Sequence, residues 1–87
     1  MRYRIAFRPA AERSFLKLSV SVRTRLQPQI EALAVEPRPP GVRKLAGSRD
    51  RWRIRVGDFR VVYEIHDDVL LVLVLTVGHR RDVYRSR

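Results

Sequence analysis

The 87-residue chain has the length of one folding domain, spanning residues 1–87, and its 45% hydrophobic content is that of a globular protein rather than a disordered one. Nineteen basic residues stand against nine acidic ones, 17 of the basic residues being arginine, for a formal charge of +10 that makes nucleic acid or an acidic protein the expected partner. With no cysteine and only two separated histidines, disulfides, thiolate metal sites and histidine metal sites are excluded, and no cofactor is expected.

Tyr3, Ile5 and Phe7 alternate with Arg2, Arg4 and Arg8, the period of a strand with one buried face; a signal peptide would need a continuous apolar stretch here. Pro9 suits a first helical position, and residues 10–18 carry apolar side chains at helical spacing. Ser19 and Ser21 are both possible caps for a second helix in which Val22, Leu26, Ile30 and Leu33 recur along one face. Pro28 falls inside that helix and predicts a kink on the face away from the core. The two helices are expected to pack as a hairpin. Residues 36–41, with three prolines and a glycine, read as an extended connector, and residues 42–45 as a short strand. Trp52, Ile54 and Val56 alternate with Arg51, Arg53 and Arg55; after Gly57-Asp58 the alternation resumes through Phe59, Val61, Tyr63 and Ile65. Gly57-Asp58 is therefore a two-residue hairpin turn with glycine at positive φ. Asp67-Asp68 turns the chain again, and the apolar run 69–77 reads as a strand covered on both faces; it is too short to span a bilayer, so a cytoplasmic protein with no membrane partner is expected. The fold class is α+β: an N-terminal strand and a helical hairpin on one face of an antiparallel sheet, followed by a short basic tail.

The hairpin register pairs Val56 with Phe59, Arg55 with Arg60, Ile54 with Val61 and Arg53 with Val62, which puts Arg53, Arg55 and Arg60 on one face. Like charges placed opposite each other cost folding free energy, so a chain that keeps them points to a bound anion; phosphate suits the guanidinium fork. Tyr84 in the tail is an aromatic able to stack on a base, beside Arg80. His79 titrates near neutrality by type and is a candidate proton carrier; Glu64 shares the basic face by parity and is a candidate ion-pair partner or base. His66, beside Asp67-Asp68, and Trp52, on the apolar side, read as structural.

Three stretches taken together resemble the RelE branch of the RelE/ParE toxin superfamily: Lys44-Leu45-Ala46-Gly47, then residues 52–65 (WRIRVGDFRVVYEI), then residues 77–85 (VGHRRDVYR). The resemblance implies a toxin of a type II toxin–antitoxin system, held silent by an acidic antitoxin, reaching operator DNA only through that antitoxin, and cutting messenger RNA on the ribosome. It also implies roles for residues. The family's basic pair falls on Arg53 and Arg55, its phosphate-binding arginine on Arg60, its tail arginine on Arg80 and its stacking tyrosine on Tyr84. Lys44, Arg51, Arg81 and Arg85 are expected to add RNA contacts. The best-known members carry lysines where this chain has Arg53 and Arg55, and arginine does not readily take a proton.

The implied chemistry needs no metal. The 2′-hydroxyl attacks the adjacent phosphorus, leaving a cyclic phosphate and a free 5′-hydroxyl; the reaction needs alignment, stabilisation of the phosphorane and proton transfers. Proton transfer falls to His79, to Glu64, or to Arg80 as a weak acid. Two other functions fit the same fold: a ParE-like inhibitor of DNA gyrase, and a RelE-like protein weak in catalysis that acts mainly with its antitoxin on an operator.

Overall fold

A computed structural model describes residues 2–47 and 50–79. The chain runs β1 (Arg4–Phe7), α1 (Pro9–Leu16), α2 (Val20–Ala32), β2 (Arg43–Lys44), β3 (Arg51–Val56), β4 (Phe59–His66) and β5 (Leu71–His79). The strands form one sheet in the order β1-β5-β4-β3-β2. Strands β2 to β5 are antiparallel neighbours, as the sequence predicts for these strands, whereas β1, whose direction the sequence left unassigned, joins the edge of β5 in parallel, so the whole sheet is mixed. The physical reason lies in the two helices between β1 and the later strands: they carry the chain across the sheet, a connection that a hairpin turn cannot make.

Each helix begins as its residues dictate. Pro9 occupies the first turn of α1, where its missing N–H costs nothing, and the Arg8 carbonyl accepts the first helical bond from Glu12 at 2.9 Å. Ser19 caps α2, its Oγ accepting from the Val22 N–H at 3.2 Å. The helix continues through Pro28, whose ring is exposed. Leu26, Ile30 and Leu33 are each no more than 2% exposed and pack with Ala11 against Ile54, Val61, Tyr63, Ile65, Val72, Val74 and Val77 of the sheet.

Two features fix the connector between α2 and β2. The hydroxyl of the fully buried Tyr63 donates to the Pro37 carbonyl at 2.7 Å. Arg38 pairs with both carboxylate oxygens of Asp67, at 3.3 and 2.9 Å, and lies over the Trp52 ring at 5.1 Å from its centroid. Asp67 also accepts from the Tyr3 hydroxyl. Gly57 has φ +60° and no non-glycine residue of that turn has positive φ, the form with glycine first that the sequence predicts. The hairpin register is the predicted one throughout.

An irregularity on β5 was not legible in its continuous apolar run. Val62 pairs with Thr76 but Tyr63 with Val74, leaving Leu75 as the extra residue of a bulge. Leu75 turns to the sheet face opposite the helices and packs with Val62, Leu73 and Leu45.

Candidate nucleic-acid interface

The short β2 covers only Arg53 and Trp52 of β3, so the end of β3 near the hairpin is an open edge. Beside that edge lies a cleft of about 400 Å³, bounded by the last turns of α2, the connector and the start of β4. Arg43, Arg53, Arg55 and Arg60 line it, facing walls that include Leu33, Ile54, Val56, Pro39 and Pro40. Arg55 lies opposite Arg60, and Arg53 opposite Arg43, so four guanidinium groups converge on one corner of the sheet. Arg60 is only 9% exposed; on its other side it pairs with Gly78 of β5. A charge drawn this far out of bulk water interacts more strongly with an arriving anion than an exposed one does. Together the arginines can grip successive phosphates through paired N–H bonds.

The predicted site residues fall into four groups. Arg53, Arg55 and Arg60 meet in the cleft. Arg43 joins them without having been anticipated, because its position depends on β2 register, which two residues do not reveal. His79 belongs to the other side of the sheet: the bulge at Leu75 keeps it in step with Val77 and Phe59, and its ring meets the Phe59 ring edge-on at 5.7 Å. Arg51 and Lys44 lie towards the opposite end of β3. Arg51 reaches Glu64 at 3.4 Å, and Lys44 sits 5.8 Å from the centroid of Trp52. Arg80, Arg81, Tyr84 and Arg85 lie outside the described residues.

Glu64 stands four residues along β4 from Arg60, about 13 Å at strand spacing, and is already engaged. Partial burial alone would raise its pKa, but hydrogen bonds from His66, at 2.9 Å, and from Arg51 hold the carboxyl below its usual range. The same bond to Glu64 raises His66 above the ordinary histidine value. The carboxylate that does line the cleft is Glu36, which accepts from the Arg38 N–H at 3.2 Å. Its place at the start of the connector, beyond α2, puts it far from the basic strands in sequence, which hid it. Among the described residues no group of histidines and carboxylates could hold a metal ion, and no helix is long and apolar enough to cross a membrane.

Known proteins with this architecture define its class. The family described as the ParE toxin of the type II toxin–antitoxin system parDE matches residues 5–84, nearly the whole chain. The protein is a toxin of a type II toxin–antitoxin system. A protein of Escherichia coli named for its likeness to RelE toxins is 33% identical over 97% of this chain and 92% of its own length. The mRNA interferase toxin RelE of E. coli K12 is 30% identical over 92% of this chain and 85% of its own. Among solved structures, a variant of E. coli RelE in the free state superposes with a TM-score of 0.81 at 29% identity, covering 98% of this chain and 93% of the other. The RelE of the archaeal RelE–RelB complex from Pyrococcus horikoshii superposes at 0.80 with 27% identity, covering 92% and 97%. The chain belongs to the RelE/ParE superfamily and is RelE-like within it.

Proposed function

We propose that this toxin is a ribosome-dependent, metal-independent endoribonuclease that inhibits translation by cutting messenger RNA in the decoding site. The observation that carries the reading is the convergence of Arg43, Arg53, Arg55 and Arg60 on one cleft of nucleotide size. A relative that covers nearly the whole chain, the E. coli K12 protein, carries the name mRNA interferase, which supports the same chemistry here.

In this mechanism the arginines hold the scissile phosphate and neutralise the charge that grows on its oxygens as the 2′-hydroxyl attacks, a stabilisation that acts mainly in the transition state. The products are a 2′,3′-cyclic phosphate and a 5′-hydroxyl end. Tyr84 stacks a neighbouring base and the ribosome completes the alignment; Arg80, Arg81 and Arg85, with Lys44 and Arg51, extend the basic track. Arginine is a poor proton acceptor, and His79 lies on the other side of the sheet, so proton transfer falls to another group: Arg80 as an acid, or Glu36, the carboxylate that the cleft itself supplies. An acidic antitoxin, by analogy with the RelE–RelB complexes of similar structures, silences the cytoplasmic toxin and links it to operator DNA.

Incubation with programmed ribosomes, with naked messenger RNA and, separately, with gyrase and relaxed plasmid tests this reading. Cleavage in the decoding site on ribosomes, without metal and without loss of supercoiling, is the expected result. Inhibition of supercoiling with intact messenger RNA would establish the ParE-like activity instead.

A further inference from the structure

Beside its guanidinium groups the cleft exposes a piece of main chain. A two-residue hairpin makes Val56 and Phe59 a hydrogen-bonded pair, so Val56, Ile54, Trp52 and Asp50 turn their backbone groups towards β4. The bond from the Ile65 N–H to the Asp50 carbonyl at 3.0 Å has this phase. Arg51, Arg53 and Arg55 must then turn theirs to the other side, where the Leu45 N–H meets the Arg51 carbonyl at 3.0 Å and Arg43 pairs with Arg53. Continuing that register, the partner of Arg55 would be Gly41. Gly41 instead stands at φ +88° in a turn, and the next residue's N–H bonds back to Pro39 at 3.1 Å, so the chain leaves the sheet. Among the described residues no strand pairs with the N–H and C=O of Arg55, and they lie at an open edge beside the cleft.

This edge is too short for a peptide strand, which needs a run of such positions; only one exists between the end of β2 and the hairpin. One donor beside one acceptor is, however, what the Watson–Crick edge of a single nucleobase requires. The walls fit as well: Val56 and the two prolines, Pro39 and Pro40, offer apolar surface to the faces of a base, with the buried Leu33 and Ile54 behind them, while the arginines flank it with phosphate-binding groups. We propose that Arg55 reads a base of the bound RNA through its main-chain amide and carbonyl, making this edge a specificity-determining contact. The proposal rests on the RNA-cleaving reading of the cleft.

Amide spectra of ¹⁵N-labelled toxin, titrated with the four nucleoside monophosphates, with ribose 5-phosphate, and with N3-methyl-UMP and N6,N6-dimethyl-AMP, test it. At least one nucleotide should move the Arg55 amide proton downfield and bind about fivefold tighter than ribose 5-phosphate, the worth of one net hydrogen bond. Methylation of its Watson–Crick edge should remove that advantage. Arg55→Ala should weaken all ligands together and keep the ratio. Arg55→Pro, tolerable because this N–H points out of the sheet, should bring the ratio to about one. If ribose 5-phosphate equals every nucleotide in affinity and in its effect on the Arg55 amide, base reading is refuted while phosphate binding stands. If no compound moves any cleft resonance, the RNA reading of the cleft fails with it.

Discussion

Replacing Arg55 by glutamine removes one charge from the cleft and keeps the side chain's length. In the folded protein Arg55 faces Arg60 across the sheet, with Arg53 two positions along its own strand and Arg43 on the next. Two guanidinium groups about 7 Å apart repel by about 0.6 kcal/mol at the dielectric of water and about 2.4 kcal/mol at an effective dielectric of 20. Solvation and splaying bring opposed like charges on a sheet to about 0.2–1 kcal/mol. The variant should therefore be more stable than the parent by about 0.5–1 kcal/mol, or about 2–8 °C in Tm for a domain of this size. Urea denaturation at low salt and at 1 M salt measures it. The gain should be present at low salt and shrink at 1 M, where the Debye length falls to about 3 Å. In parallel, the salt dependence of RNA binding should flatten by about one unit of log–log slope or less. A variant less stable at low salt, or a gain indifferent to salt, would refute the claim that these arginines are held together against their mutual repulsion.

Other substitutions probe the frame around the cleft. Tyr63→Phe leaves the Pro37 carbonyl without its donor and should cost about 1–2 kcal/mol in chemical denaturation. Burial raises the Tyr63 pKa, so the parent should lose stability as pH climbs above about 10, the unfolded value, and the phenylalanine variant should lose less. The Glu64–His66 pair should stabilise the fold at pH values between the lowered carboxyl pKa and the raised imidazole pKa, fading as pH rises through the latter; NMR titration should show the His66 pKa falling in Glu64→Gln. Gly57→Ala should cost about 1 kcal/mol, chiefly from its positive φ, since the Arg25 guanidinium lying 2.6 Å from the new Cβ can swing away.

Much of this was legible in the residues because local signals agreed with one another. The Gly57-Asp58 turn fixes register, register fixes parity, and parity alone brings Arg53, Arg55 and Arg60 together on one face. Pro9 likewise marks the start of α1, and of the two candidate caps for α2, Ser19 and Ser21, the structure uses Ser19. What escaped depends on contacts distant in sequence. The parallel seat of β1 beside β5 is a tertiary choice that alternation in Tyr3, Ile5 and Phe7 cannot express. The bulge at Leu75 hides in a run where every residue is apolar, yet it decides which side of the sheet His79 occupies. Arg43 and Glu36 enter the cleft from the connector's two ends, and only the folded path of its prolines and Gly41 brings them there.

The central claim, that the arginine cleft holds the scissile phosphate, is tested most directly by single-turnover cleavage on programmed ribosomes with Arg60→Ala, its fold checked by its melting transition. Loss of one such charge-stabilising donor should slow cleavage about 100-fold or more, with a much smaller loss of ribosome affinity. Cleavage within a few-fold of the parent rate by a folded Arg60→Ala toxin would contradict it.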